Sequence, residues 1–290
     1  MRYLMLVFAC LISCVEASTV LITGASRGIG LETAKAFQQA GWSVWGASRT
    51  MPQNDPSLDG IHFRIMDVTD DQAVAAVIAE IIKTDGQIDI LVNNAGYGVL
   101  GAIESISLDE MRQQFEVNFF GVVRVTQAVL PHMRAANQGR IINISSTSGI
   151  RAIASVSVYA ASKFALEALT EGLAAETSFW NIKVISVEPG PVVTDFVSAT
   201  TAGSKKTGVD EYERLNRNFQ QFLDDRLSVG QKPEEIGHLI FNVATTANPN
   251  LRYTTDEDGL AISAAKWVDP TGNSGHAAAL HYLNLLMNYQ

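Results

Sequence analysis

One stretch near the amino terminus, Thr19-Val-Leu-Ile-Thr-Gly24-Ala-Ser26-Arg27-Gly28-Ile29-Gly30, passes from a β-branched apolar run into a glycine-rich turn, and helix-forming residues follow it. Because glycine lacks Cβ, such a turn bends tightly and lets the backbone approach a ligand closely. A helix that begins there points free N–H groups at an anion such as a pyrophosphate. The G-x-x-x-G-x-G spacing therefore predicts a dinucleotide site, and a plain strand-to-helix turn is the alternative interpretation.

A second predicted strand, Ser43-Val-Trp-Gly-Ala-Ser48-Arg49, follows that helix. Dinucleotide sites that prefer NAD carry an acidic residue near this position for the ribose 2′-OH, whereas an arginine accommodates a 2′-phosphate. Arg49 lies here and Arg27 lies in the glycine turn, and two guanidinium groups can bind one phosphate. The sequence therefore predicts a preference for NADP(H) over NAD(H). The alternative is that both arginines are solvated surface residues.

A second motif places Ser146, Tyr159 and Lys163 in one segment of the chain. The spacing of four puts the phenol and the ammonium on one face of a helix. A phenol alone keeps its proton to about pH 10. A nearby ammonium favours the phenolate, so we expect a lowered Tyr159 pKa and proton exchange with an alcohol or a carbonyl. Ser145 and Ser148 are alternatives to Ser146.

With these motifs in order, the chain resembles the short-chain dehydrogenase/reductase family from Thr19 to about Gly275. Asn93-Asn-Ala-Gly96 is similar to a further motif of that family. The resemblance implies a catalytic tetrad of Asn118, Ser146, Tyr159 and Lys163. It implies cofactor contacts from Gly24, Ser26, Arg27, Gly28, Ile29, Gly30, Arg49, Asp67, Val68, Asn94, Ala95, Gly96, Tyr159, Lys163, Pro189, Gly190, Val192 and Thr194.

The resemblance also implies the roles of these residues. Asp67 and Val68 flank the adenine, and the segment from Pro189 to Thr194 contacts the nicotinamide carboxamide. Tyr159 exchanges a proton with the substrate oxygen, and Ser146 holds that oxygen. Lys163 lowers the pKa of Tyr159 and binds the nicotinamide ribose, while Asn118 anchors a water that links Lys163 to solvent. The expected reaction interconverts a primary or secondary alcohol and its carbonyl.

The carboxyl-terminal part resembles the branch of that family that holds type 1 17β-hydroxysteroid dehydrogenase and photoreceptor retinol dehydrogenase. The similar segments include Lys232-Pro-Glu-Glu-Ile, Leu251-Arg-Tyr-Thr-Thr255 and Asp269-Pro-Thr-Gly272. This implies a bulky apolar substrate of the steroid, retinoid or lipid kind. The alternatives are a reductase of small carbonyls or 3-oxoacyl thioesters, and a non-catalytic NADP-binding sensor on the same fold.

Strand-like and helix-like runs alternate, which predicts an α/β fold, a Rossmann-like doubly wound parallel sheet in a single domain over residues 19–290. Strands are predicted at 19–23, 42–47, 61–66, 88–93, 139–145, 182–188 and 251–254. Helices are predicted at 29–40, 70–83, 108–136, 156–177, 210–227 and 233–245, with a capping box from Ser107 to Glu110.

The stretch of about 196–227 interrupts this rhythm with small polar residues, followed by a helix that bears Tyr212, Leu215, Phe219 and Phe222. In a redox enzyme such a stretch predicts a helical lid over the substrate. The alternative is an ordinary surface helix whose apolar face packs on the core.

Composition excludes several classes of function. The net charge of −9 disfavours nucleic-acid binding. The two cysteines, Cys10 and Cys14, both lie near the amino terminus, so no disulfide framework is expected in the core. The five histidines form no cluster in sequence, and we expect no metal site.

Residues 1–18 form an apolar extension that resembles the centre of a secretory signal but is too short to span a membrane. Export conflicts with the use of NADP(H), so we expect a cytoplasmic protein, with membrane contact through residues 1–18 as an option. Small residues on the helix of Tyr159, namely Ala160, Ala161, Ala165 and Ala168, permit close packing, and the family resemblance implies a homodimer or homotetramer.

Overall fold

Parallel strands in the order β3-β2-β1-β4-β6-β7-β9 form the main sheet of the computed structural model, which describes residues 17–194, 196, 200–268 and 273–289. The strands of this sheet are β1 (Thr19–Thr23), β2 (Ser43–Ser48), β3 (Ile61–Ile65), β4 (Ile90–Asn93), β6 (Gly139–Ile144), β7 (Ile182–Glu188) and β9 (Arg252–Thr254). A separate short pair consists of β5 (Val99–Leu100) and β8 (Thr201–Ala202). The order and the parallel pairing confirm the predicted doubly wound α/β sheet.

Helices cover both faces of the sheet. Along the chain they are α1 (Gly28–Gln39), α2 (Asp71–Asp85), α3 (Leu108–Phe115), α4 (Val122–Ala136), α5 (Ser157–Glu176), α6 (Asp210–Ser228), α7 (Pro233–Thr245), α8 (Glu257–Val268) and α9 (Asn273–Met287). The predicted strands and helices up to residue 254 are confirmed to within a few residues, except that the helix predicted at 108–136 is divided. The elements β5, β8, α8 and α9 were not predicted.

The sheet is buried on both faces because successive residues of a strand point to opposite sides. On β1, Val20 and Ile22 pack into the core layer that contains residues of α1 and α7. Leu21, between them in sequence, packs into the opposite layer with residues of α2 and α4. All five residues of β1 are buried, as expected for a central strand with helices on both sides.

The strand order reverses at β1, which pairs with β2 on one side and with β4 on the other. In open α/β sheets the crevice outside the carboxyl ends of the strands at such a reversal is where ligands bind. The glycine turn after Thr23 and the segment after Asn93 both leave the sheet at this point. The topology therefore brings the two cofactor motifs of the sequence together.

One long helix was predicted from 108 to 136, and the structure divides it. The capping box is confirmed, since the Ser107 hydroxyl accepts from the Glu110 N–H at 3.2 Å and a Glu110 carboxylate oxygen accepts from the Ser107 N–H at 2.7 Å. Between α3 and α4, however, Glu116–Gly121 forms a π-helical segment that carries Asn118. The local widening inserts a residue into the helix, and such π segments are often found at functional sites.

The carboxyl-terminal helix α9 packs against α6. Leu215 and Phe219 of α6 lie in one apolar cluster with Leu286 of α9 and with Val156, which directly precedes α5. The Asn218 amide also donates to the Leu286 carbonyl at 2.7 Å. In the described part of the chain, every helix is too short or too polar to cross a bilayer. Most of the apolar extension at 1–18 and the segment Asp269-Pro-Thr-Gly272 lie outside the described residues.

Candidate active site

The glycine turn is fitted closely against the segment that follows β4. Gly24 has φ of +68°, and the Asn94 side-chain amide donates to the carbonyl oxygens of Thr23 at 3.0 Å and of Gly24 at 3.1 Å. The Thr23 hydroxyl in turn accepts from the backbone N–H groups of Asn94 and Ala95 at 3.0 and 3.1 Å. A Cβ on Gly30 would collide with the Gly24 carbonyl and with the Asn94 amide. The turn thus requires glycine at these positions.

This cradle fits a dinucleotide. The residue before α1, Arg27, makes no side-chain cap hydrogen bond, and the first turn of α1 contains no acidic residue. The backbone N–H groups of that turn therefore remain available to an anion, and the helix dipole favours negative charge there. A Cβ on Gly28 would lie 3.3 Å from the Thr194 side chain, so Thr194 borders the turn.

The two arginines predicted to bind the 2′-phosphate are both exposed. Neither forms an ion pair within the described ranges of the chain. Arg49 lies close enough to Tyr97 that its charge acts to lower the pKa of that phenol, although burial outweighs this effect and raises it. Because Tyr97 follows the Asn94-Ala-Gly96 segment, Arg49 lies at the rim of the same crevice.

The predicted adenine residues adopt different environments. The Asp67 carboxylate accepts from the backbone N–H of Thr69 at 2.9 Å and from its hydroxyl at 2.8 Å, which closes a tight turn after β3. Val68 is buried, and its side chain faces Gly121 so closely that a Cβ there would lie 2.7 Å from it. Asp67 is therefore oriented by its own turn, whereas Val68 supports the packing of the π-helical segment.

Ser146, Tyr159 and Lys163 line one cavity. The Ser146 side chain hydrogen-bonds the Tyr159 phenol and also accepts from the Ser148 N–H at 3.0 Å. The Lys163 ammonium lies 5.8 Å from the Tyr159 ring centroid and donates to the Ile144 carbonyl at 2.8 Å. Among the neighbouring serines, this geometry favours Ser146 as the partner of the phenol.

Asn118 lies beside this group and is held from two sides. Its amide oxygen accepts from the Tyr97 N–H at 3.0 Å, and its amide nitrogen donates to the Tyr97 carbonyl at 2.8 Å and to the Ser162 hydroxyl at 3.1 Å. A Cβ on Gly96 would lie 3.2 Å from the Asn118 oxygen and 3.7 Å from the Lys163 nitrogen. Gly96 therefore lies close to both the Asn118 amide and the Lys163 ammonium.

The expected lowering of the Tyr159 pKa is wrong for this structure. Burial raises the pKa of Tyr159 to about 12, and the Ser146 hydrogen bond opposes that rise only in part. Burial lowers the pKa of Lys163 to about 8, opposed by the charge of Glu167. Desolvation disfavours the charged form of each group. The phenol therefore carries its proton at neutral pH in the protein without a dinucleotide.

The segment from Pro189 to Thr194 is held in place by Gln231 and Thr255, which were not predicted as site residues. Gly190 N–H donates to the Thr255 hydroxyl at 3.2 Å, and Thr255 and Gln231 exchange hydrogen bonds of 2.5 and 2.6 Å. Gln231 also pairs its backbone with Pro191 and Val193 at 2.9 Å. The anchoring residues are more than 35 positions away in sequence, so no local motif indicates them.

Two buried carboxyl groups join α5 to the strand that leads into this segment. Glu167 accepts from Arg252 at 3.0 Å and from the Ser186 hydroxyl at 2.5 Å. Glu188 is fully buried, and Arg252 lies 3.7 Å from it. Burial raises the pKa of Glu188 to about 8, and the neighbouring Glu167 adds to the rise. Burial thus favours the protonated form of Glu188, and a proton there removes one of two like charges from the interior.

The cavity has a volume of about 520 Å³, within the roughly 300–1,000 Å³ of small-molecule sites. Its polar end holds the phenol and the serines after β6. Its other walls are mainly apolar and come from the chain before α5, from Phe196, and from α6, α8 and α9. The apolar and aromatic lining residues include Ile153, Val156, Phe196, Phe219, Phe222, Leu223 and Tyr282.

These features define an oxidoreductase on a dinucleotide-binding fold, and comparison with known proteins gives its family. A family model described as short chain dehydrogenase matches residues 18–205. The chain therefore belongs to the short-chain dehydrogenase/reductase family, whose fold binds NAD(P), and it is an enzyme that acts on CH–OH or carbonyl groups.

Individual relatives are similar over most of their length. The chain is 37% identical over 238 residues to 3-ketodihydrosphingosine reductase of Bacteroides thetaiotaomicron, covering 82% of this chain and 87% of that protein. It is 38% identical over 272 residues to human retinol dehydrogenase 8, covering 88% and 86%. A short-chain dehydrogenase structure from Streptomyces avermitilis matches with a TM-score of 0.77 at 31% identity, covering 93% and 97%.

Proposed function

We propose that the chain is an NADP(H)-dependent oxidoreductase that interconverts an alcohol and its carbonyl on a bulky apolar substrate. One observation carries the proposal: the Tyr159 phenol and the Ser146 hydroxyl lie at one end of a cavity whose other walls are mainly apolar. A hydroxyl or carbonyl at that end would meet both groups. The rest of an apolar molecule would be taken out of water by the walls, which stabilises binding in proportion to the area buried.

Ser146 and Tyr159 have separate roles in the proposed reaction. When bound, the dinucleotide supplies or accepts the hydride. Ser146 holds the substrate oxygen by a hydrogen bond, and Tyr159 donates its proton to that oxygen during reduction and takes it back during oxidation. Because burial holds the pKa of Tyr159 at about 12, the phenol starts as the acid that reduction needs. Fixing both partners in one cavity adds an orientation effect to the proton transfer.

We assign supporting roles to Lys163 and Asn118. The Lys163 ammonium, now bonded to the Ile144 carbonyl, is placed to bind the ribose hydroxyl groups of a dinucleotide and to stabilise a phenolate. The Asn118 oxygen, already bonded to the Tyr97 N–H, keeps a second lone pair for a water between itself and Lys163. These roles rest on the family resemblance together with the closeness of both side chains to Gly96.

We further propose a preference for NADP(H). Arg27 at the start of α1 and Arg49 after β2 are exposed at the crevice where the strand order reverses, and both lack an acidic partner in the described chain. A 2′-phosphate would receive charge-assisted hydrogen bonds from these guanidinium groups. Positions 48 and 49, where an acidic residue would bind a free 2′-OH, hold a serine and an arginine.

For Arg49→Gln we expect the dissociation constant of NADPH to rise about tenfold, because one hydrogen bond to a charged group is lost. The dissociation constant of NADH should change little. Fluorescence titration of both dinucleotides measures the difference. Arg112→Gln is the matched control, because Arg112 is an exposed arginine of α3 that pairs with Asp109. Tighter binding of NADH than of NADPH by the unaltered protein would contradict the proposal.

The substrate class is tested with a panel of ketones and aldehydes. We expect kcat/KM for NADPH oxidation to rise from small aldehydes and sugars to retinal, long-chain ketones and steroid ketones, since each added buried CH₂ contributes about 0.8 kcal/mol. The names of the two relatives, which refer to a retinol and a sphingoid ketone, support this order. A highest kcat/KM for small carbonyls or for short 3-oxoacyl thioesters would refute it.

From the sequence and the family resemblance we also propose the extent of the domain, a substrate lid, the oligomeric state and the location of the protein. Residues 19–290 form one dinucleotide-binding domain, in which the stretch of about 196–227 acts as a substrate lid. The chain assembles as a homodimer or homotetramer. Of the alanines predicted for such a contact, Ala161 and Ala168 form an exposed row with Phe164 on α5, whereas Ala160 is buried and Ala165 is partly exposed. It works in the cytoplasm, and residues 1–18 provide the option of membrane contact.

A further inference from the structure

Almost all charged side chains that line the cavity already have a hydrogen-bond or ion-pair partner. In the described part of its lining they are Arg151, Lys163, Arg226, Asp256 and Asp258. Lys163 donates to the Ile144 carbonyl, and Asp256 accepts from the Gly259 N–H at 2.6 Å in the first turn of α8. Arg226 pairs with Asp258 at 3.4 Å. This leaves the guanidinium of Arg151.

Arg151 has a defined position without a carboxylate. It follows the turn Thr147–Gly149, and its backbone N–H donates to the Thr147 carbonyl at 3.1 Å. Its guanidinium carbon lies 5.0 Å from the ring centroid of Tyr282 on α9. Within the described residues it forms no ion pair, and it is only partly exposed. The aromatic ring therefore holds the cation in place without neutralising it.

The surroundings of Arg151 strengthen its attraction for an anion. Ile153, Val156 and Phe222 line the same cavity as Arg151 and make its wall apolar, which limits the number of polar groups that can screen the charge. The charge interaction between two groups grows as the local dielectric constant falls. A guanidinium presents a planar fork of donors that matches a carboxylate or a phosphate. The glycine turn that would bind the cofactor phosphates lies at the other side of the site, after β1.

From this arrangement we infer that Arg151 binds an anionic group of the substrate, remote from the reacting carbon, so that the substrate is an amphipathic carbonyl compound with an apolar body and a carboxylate or phosphate. The inference rests on the proposed function and narrows its substrate class. The reacting oxygen lies between Ser146 and Tyr159, and the apolar body contacts Phe219 and Leu223. A molecule with these three parts would give partners to Ser146, Tyr159 and Arg151 and would cover the apolar wall.

A purely structural role for Arg151 makes a different prediction. If the arginine only fastened α9 through Tyr282, its replacement would lower the thermal stability and the turnover of all substrates alike. If it binds an anion, the loss falls on the KM of anionic substrates. The comparison of an acid with its neutral ester therefore separates the two roles.

The experiment uses a long-chain oxo fatty acid, its methyl ester and the corresponding oxo-alkyl phosphate, with NADPH oxidation as the readout. We expect the unaltered protein to have a kcat/KM for the acid at least about tenfold above that for the ester, mainly through KM. Arg151→Gln should bring the acid close to the ester, while Arg151→Lys should keep part of the preference. The phosphate compared with the acid shows which anion is preferred.

Arg134→Gln is the matched control, since Arg134 also stacks on an aromatic ring, Trp180 at 5.6 Å, but lies outside the cavity. It should leave the ratio of acid to ester unchanged. Equal kcat/KM for acid and ester in the unaltered protein, or an equal loss for both in Arg151→Gln, would overturn the inference. If no ketone at all consumes NADPH, the proposed function fails instead. Calorimetric titration of the acid and the ester into the NADP-loaded protein then still reads the anion preference directly.

Discussion

Replacing Tyr159 by phenylalanine is expected to lower turnover of a ketone with NADPH by about a thousandfold or more. The change removes the hydroxyl that transfers the proton, and a positioned acid or base typically contributes about 10²–10⁴-fold. The ring remains, so its contact with Phe196 at 5.7 Å and the burial of its neighbours are kept. The dissociation constant of NADPH should therefore change little, as measured by fluorescence titration beside steady-state kinetics.

Tyr253→Phe is the control for this experiment. It also removes a phenol hydroxyl, but that hydroxyl accepts from the Asn250 N–H at 2.8 Å, and Tyr253 does not line the cavity. Its turnover should match that of the unaltered protein. Retention of normal turnover by Tyr159→Phe would remove the proposed acid from the mechanism and with it the central argument for the enzyme's chemistry.

Replacing Lys163 by methionine is expected to reduce both turnover and NADPH affinity, because the ammonium is proposed to bind the ribose and to stabilise the phenolate. The same replacement should raise the free energy of unfolding of the dinucleotide-free protein. The folded pKa of about 8 lies below the ordinary 10.5, so folding becomes more favourable as pH rises from about 8 to 10.5, whereas below about 8 the lysine is protonated in both states and adds no further pH dependence. The methionine variant lacks this dependence.

The measurement is chemical denaturation of the dinucleotide-free protein at several pH values, together with NADPH titration. Below pH 8 the unaltered protein must keep a charge in a buried site, so the difference in unfolding free energy between variant and parent should narrow as pH rises. Lys183→Met is the control, because Lys183 is exposed on β7. An unchanged NADPH affinity in Lys163→Met would refute the ribose role.

Much of the fold follows from sequence because central parallel strands and their helices have strong local signals. The apolar β-branched runs at 19–23 and 182–188 gave β1 and β7 with the predicted bounds. The helices α8 and α9 were missed because their stability comes from contacts with distant elements. Asn218 of α6 and Leu286 of α9, for example, lie 68 positions apart. The strands β5 and β8 have two residues each, too few for any periodic pattern.

The sequence likewise predicts some features of the candidate site and not others. Spacing on one helix was enough to place Tyr159 and Lys163 beside one cavity. The pKa of Tyr159 could not be predicted, because the cost of charging the phenol depends on how completely other elements exclude water from it. Gln231 and Thr255 were missed since turns and edge strands carry many such residues. Their role appears only when the chain brings them to Gly190.

The π-helical segment between α3 and α4 limits which insertions and deletions this enzyme can accept. Gln114, Asn118, Val125, Val129 and Met133 are all buried on the inner side of the long helix. Nineteen positions separate the first from the last, whereas five regular turns take about 18 residues. The surplus residue keeps the buried side chains at both ends of the helix on its inner side. Loss of one residue between 116 and 121 would turn the amino-terminal half by about 100° relative to the rest. Apart from Asn118 and Gly121, this stretch therefore tolerates exchange of side chains more readily than any change in its length.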